Sequence, residues 1–245
     1  MATSQSILSQ VAVELRYARG MVYLDRCGSI YTKMADELGA AFVAPTVPNV
    51  ESTDFSSPDE LLSVRFGPKN LAVIQQWVNS PARVEQVAAK AWAILSDALE
   101  VKTQVLRCGM RIITQWSVAS VDDGSRMVLR VAEPAPAWKQ VFGAPVAASL
   151  VTIQREDGQF GSRAELSVVQ QKISNNLPAN LATKISPIAV QLDIDHVLEG
   201  SAETFNSFTP TGKPRAVGPG QFKDFMRGSW EATQTAAIRL RELME

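Results

Sequence analysis

Val11, Val13, Leu15 and Tyr17 alternate with Ala12, Glu14, Arg16 and Ala18, the period-two pattern of a strand with one buried face. Arg19-Gly20 allows a turn, and Met21 to Leu24 is expected to return as a short partner strand. Leu24, Cys27, Tyr31, Met34 and Leu38 recur at three- and four-residue steps. A helix with a buried stripe is expected there, closed by Gly39 as its C-cap. Residues 44–60 are rich in Pro, Ser, Thr and acidic groups and read as a loop separating two units.

Leu62, Val64 and Phe66 alternate, Gly67-Pro68-Lys69-Asn70 turns the chain, and Leu71, Val73, Gln75 and Trp77 return. Ser80 stands as an N-cap before Pro81. Val84, Val87, Ala88, Ala91, Leu95, Ala98 and Leu99 then draw an apolar helical stripe. Overlaid on the first unit, Arg16-Tyr17 matches Arg65-Phe66, and Val22 and Leu24 match Leu71 and Val73. A hairpin-then-helix repeat over 10–39 and 60–100 is expected.

Val105 to Val118 reads as one long strand with Leu106, Cys108, Met110, Ile112 and Trp116 on one face. Asp122-Asp123-Gly124 is expected to turn into a partner strand carrying Met127, Leu129 and Val131. Glu133 to Pro145 is Pro-interrupted and irregular. Ala148–Arg155 and Phe160–Val169 flank Glu156-Asp157-Gly158 as a hairpin, 174–187 is loop-like, and Ile188–Ile194 is a further strand. Phe222, Phe225, Met226, Ser229, Thr233, Ala237, Leu240 and Met244 mark a closing amphipathic helix. Strands dominate, and no alternation of single strands with helices appears. The expected fold is α+β, with mostly antiparallel sheets, hairpin-then-helix units and a long C-terminal helix. Residues 1–100 would hold the hairpin–helix units and 101–245 the larger sheet with the closing helix, packed as one globular body.

Composition narrows the chemistry. The 245 residues are 46% hydrophobic and 20% charged, a globular balance that excludes a disordered chain. With 24 Lys+Arg against 25 Asp+Glu the net charge is −1, so attraction of the whole molecule to nucleic acid is not a driving force. Two cysteines without CxxC spacing and one histidine cannot supply a usual zinc or iron–sulfur set. No metal or cofactor is expected, and both Cys27 and Cys108 are expected reduced on apolar faces. The amino-terminal residues lack a signal-peptide pattern, and no stretch approaches the ~18 apolar residues of a membrane span. A soluble cytoplasmic protein without membrane attachment is expected.

The candidate functional residues are charged ones. Asp193 and Asp195 share one face of a strand about 6.6 Å apart, near the spacing of an inverting carboxylate pair. They also fit the solvated side of a strand. His196 falls with Leu192 and Ile194 and reads as a hydrogen-bonded core residue. Arginine outnumbers lysine 15 to 9. Arg107 and Arg111 share a face of the long strand, Arg126 and Arg130 a face of its expected partner, and Arg155 and Arg163 lie on the later hairpin. Across neighbouring strands such groups can line a groove for a polyanion or an acidic peptide. They can equally pair with Glu14, Glu165 and similar acids. Trp138 and Phe142 on the Pro-interrupted loop are candidate anchors for a partner. Thr211 to Arg215 and Gly218-Pro219-Gly220 lack P-loop spacing and read as a structural connection.

Three stretches together resemble a sporadically distributed bacterial family of uncharacterised proteins. Arg107 to Ile113 is similar to that family's RxGxRYxN-type strand, departing at Ile113-Thr114 where the family carries Asn. Gln191 to Asp195 is similar to its LDID-type strand, and Phe222 to Trp230 to its closing helix. The resemblance implies a shared α+β fold and carries no activity. The residues favour a non-enzymatic binding or interaction protein, its partner another protein or a second copy in a homodimer. The alternatives are a small-molecule-binding or hydrolytic domain using Asp193, Asp195 and Arg111, and nucleic-acid binding by the arginine face. Arg107, Arg111, Arg126, Arg130, Trp138, Asp193 and Asp195 are the expected binding residues, with no catalytic residue assigned.

Overall fold

The computed structural model describes residues 6–18, 20–45, 49–78, 80–100, 105–132, 150–156, 160–173, 177, 179–198 and 216–244. Eight strands form one antiparallel sheet: β1 (Ile7–Tyr17), β2 (Thr53–Ser57), β3 (Leu62–Phe66), β4 (Asn70–Val78), β5 (Val105–Ser117), β6 (Leu150–Glu156), β7 (Phe160–Gln170) and β8 (Ile188–Leu198). The helices are α1 (Gly20–Leu38), α2 (Ala82–Leu99), α3 (Val121–Val131), the single turn α4 (Ala179–Ala182) and α5 (Pro219–Met244). The fold is α+β, as the patterning predicts. No helix among the described residues is long and apolar enough to cross a membrane.

The strand order is β2-β3-β4-β1-β5-β8-β7-β6. Setting α4 aside, the chain runs β-α-β-β-β-α twice, and in each run the first strand pairs with the fourth, the fourth with the third and the third with the second. The two first strands, β1 and β5, meet antiparallel at the centre, with Val13 opposite Met110. An antiparallel seam between equivalent strands is what a twofold axis normal to the sheet produces. The equivalence therefore spans whole halves, not the expected 10–39 and 60–100 segments. In that overlay Val22 and Leu24 are helical where Leu71 and Val73 are strand.

Three further expectations are corrected. Met21 to Leu24 is the first turn of α1 rather than a returning strand, because Tyr23, Ile30 and Met34 bury together at helical spacing. The stripe is thus rotated from the expected one, leaving Leu24 43% exposed. Residues 53–57, inside the expected loop, form β2, where Thr53, Phe55 and Ser57 alternate inward. Residues 121–131 form α3, not a strand partner of β5. Ser120 Oγ accepts from the Asp123 N–H at 3.1 Å and caps the helix, and Gly124 lets it approach β7, since a Cβ there would lie 3.0 Å from Val168.

The helices cover one face of the sheet. α2 packs on β1, β3 and β4, α3 on β7 and β8, and α5 on β5 and β8, while α1 packs on α2. Between these layers lies a core joining both halves, from Leu15, Phe66 and Trp92 to Cys108, Met110 and Phe222. A second cluster of Trp116, Val128, Leu166, Leu192 and Ile194 lies under α3 and the end of α5. The Trp92 indole N–H donates to the Val217 carbonyl at 3.1 Å, tying α2 to the entry of α5. Both cysteines are free thiols; Cys108 is buried and Cys27 partly exposed.

Candidate functional site

Period two sends Arg107, Gly109, Arg111, Ile113 and Gln115 of β5 to the face opposite the helices. The registers bring Asp193 and Asp195 of β8, Arg163 and Glu165 of β7 and Glu14 of β1 to the same side. Arg111 is opposite Asp195, which is opposite Arg163; Asp193 is opposite Glu165; Glu14 is opposite Gly109. The site is therefore a patch across four strands at the middle of the sheet.

Neither arginine of β5 pairs straight across. Arg107 lies along its own strand, over Gly109, and its Nη2 donates to Asp195 Oδ2 at 2.7 Å while Nε stands 3.6 Å from Glu14 Oε2. Arg111 leans the same way and grips Asp193 with two N–H groups, Nε donating to Oδ1 at 2.8 Å and Nη2 to Oδ2. Such bidentate pairs fix geometry as well as charge. The result is a staggered ladder in which each aspartate is held by one guanidinium.

Burial sets the electrostatics. The Asp193 side chain is 12% exposed and that of Arg107 13%, whereas that of Arg111 is 53% exposed. Burial raises the Asp195 pKa above the usual carboxylate value, opposed by Arg107 and Arg111 and assisted by Asp193. The hydrogen bond to Asp193 raises the Arg111 pKa against the lowering effect of burial, helped by the charges of Asp193, Asp195 and Glu165.

Arg107, Arg111, Arg163, Glu165, Asp193 and Asp195 line one cavity of about 320 Å³. Four of the expected binding residues thus meet at one place. The other three do not join them. Arg126 and Arg130 sit on α3; Arg126 pairs with Asp123, and Arg130 Nη1 donates to the Met244 carbonyl at 2.6 Å. They left the expected sheet face because their segment is helical. Trp138, like Phe142 and 211–215, lies outside the described residues. Gly218 accepts the Phe222 N–H at the start of α5.

Arg163 and Glu165 belong to the cavity although the sequence marked them only as a hairpin arginine and an ion-pairing acid. The available signal was their shared phase with Asp193 and Asp195 once β7 and β8 are registered. His196 faces the helices, 2% exposed, its Nδ1 2.7 Å from Ser162 Oγ and its Nε2 2.8 Å from Thr233 Oγ1. It links β7, β8 and α5 and is away from the carboxylates.

Among the described residues, no group of three or more His, Cys, Asp or Glu is placed to hold a metal ion. On the polar face of β1, β2, β3, β5, β7 and β8, Arg16, Arg65, Arg107, Arg111 and Arg163 stand against Glu14, Asp54, Glu165, Asp193 and Asp195. The described charges on this face therefore cancel. No family model, curated protein or solved structure matches the chain.

Proposed function

We propose that this is a non-enzymatic binding protein whose ligand engages the charged sheet face centred on Arg111, Asp193, Arg107 and Asp195. The observation that carries the reading is that each aspartate is held by an arginine, Asp193 through two hydrogen bonds and Asp195 through one. An inverting pair needs one carboxylate free to take a proton from water and one acid free to donate. Here both are committed to guanidiniums, which favours recognition over hydrolysis. Paired charges held rigid on strands suit recognition, since they present a fixed pattern and lose little freedom on binding. The balance of charge on the described face argues against nucleic acid, whose affinity grows with the number of unneutralised cations.

The test is affinity capture from an extract of the source cells, comparing the wild-type chain with a double charge reversal, Arg163→Glu with Glu165→Arg. Both residues are on the cavity rim, outside the ladder. Loss of a reproducible bound component in the reversed variant is expected. An identical set of bound components from both baits would contradict the assignment to this face.

A further inference from the structure

We infer that the cavity on the polar face takes a small zwitterion with its two charges about 7 Å apart, the anionic end on Arg163 and the cationic end on Glu165, the simplest such molecule being an extended two-residue peptide. The inference rests on the reading of this face as a binding site and names the chemistry of what it binds.

Of the six charged side chains lining the cavity, four are committed to one another: Arg107 to Asp195 and Arg111 to Asp193. Among the described residues, Arg163 and Glu165 make no ion pair. Their lack of partners follows from the stagger of the ladder. Arg163 is directly opposite Asp195, but Asp195 is already taken by Arg107 reaching over Gly109. Glu165 is directly opposite Asp193, a like charge, and the guanidinium whose charge it feels, that of Arg111, is hydrogen-bonded to Asp193. An incoming cation at Glu165 relieves that repulsion, and an incoming anion at Arg163 supplies the partner the ladder withholds.

The signs decide the ligand class. Three arginines and three carboxylates line the space, so a simple anion meets as much repulsion as attraction, and so does a simple cation. A molecule carrying both charges meets an opposite group at each end. Arg163 and Glu165 are two residues apart on one strand, hence on the same side with their Cα atoms about 7 Å apart. That is the length of two extended residues. The volume of about 320 Å³ is at the lower end of the range for small-molecule pockets.

Calorimetric titration of the full chain with glycylglycine at low ionic strength tests this, with acetylated glycylglycine, glycylglycinamide and inorganic phosphate as comparisons. Saturable binding of glycylglycine is expected, at least tenfold tighter than either blocked peptide or phosphate. Arg163→Gln and Glu165→Gln should each weaken it at least tenfold. Arg163→Gln should also abolish the preference for glycylglycine over its amide, a signature that loss of stability would not produce. No saturable heat from glycylglycine, equal binding of phosphate, or unchanged affinity in both variants would overturn the inference. If capture of a partner depends on Arg163 and Glu165 while glycylglycine does not bind, the zwitterion fails and the binding face stands. If capture is also indifferent to both residues, the two readings fall together.

Discussion

A Cβ built on Gly109 would lie 3.2 Å from both Nε and Nη2 of Arg107. The absence of a side chain there is what lets the guanidinium lie flat along β5 between Glu14 and Asp195. Gly109→Ala is expected to lift Arg107, leave Asp195 short of its partner and cost about 1–2 kcal/mol, read as a lower urea midpoint with unchanged slope. Stability equal to wild type would show that Arg107 does not depend on that space. At this scale the sequence was partly legible. Alternation placed Arg107 with Arg111 and Asp193 with Asp195, and His196 with the core. The pairing of the two sets was not legible, because which strand lies beside β5 depends on contacts more than eighty residues apart in sequence.

The elements that misled were those in which a local pattern supports two periods. Met127, Leu129 and Val131 alternate as a strand would, yet Gly124 and Val128 bury at helical spacing. Ser120 followed by Asp123 was the available signal of a helix start. The Ser120 hydroxyl donates to Asp123 Oδ2 at 2.8 Å, and that bond, then Arg126, lowers the Asp123 pKa. Ser120→Ala is expected to cost about 1 kcal/mol through the lost cap on the Asp123 N–H, measured as a fall in the chemical denaturation midpoint. No change would mean that packing of Gly124 on Val168 alone holds the first turn. α2 was legible nearly residue by residue, since a long apolar stripe admits a single period.

For the whole molecule, the class and most strands could be read from alternation, but the architecture could not. Two β-α-β-β-β-α halves share a seam at β1 and β5, and no short-range pattern reveals that their first strands meet. The seam and the bond from Trp92 to Val217 make each half incomplete alone, as does a core containing Leu15, Trp92, Met110 and Phe222 together. A fragment of residues 1–100 should therefore fail to give a dispersed amide spectrum as a monomer, whereas the full chain should unfold in one calorimetric transition. A well-dispersed monomeric fragment would contradict the account of the seam.

Arginines hold the partly buried carboxylates of the sheet face in an ion-paired array. Because the Asp195 pKa is higher in the folded chain than its ordinary value, its protonation adds stability below the unfolded pKa, and that gain is lost as pH rises through the folded midpoint. Arg107 works against this shift, so removing it must enlarge it. The deciding measurement is the side-chain carboxyl titration of Asp195 by ¹³C NMR in the wild-type chain and in Arg107→Gln. The expected result is a midpoint above the ordinary aspartate value that moves further upward in the variant. A midpoint that Arg107→Gln leaves unmoved, or moves downward, would contradict it.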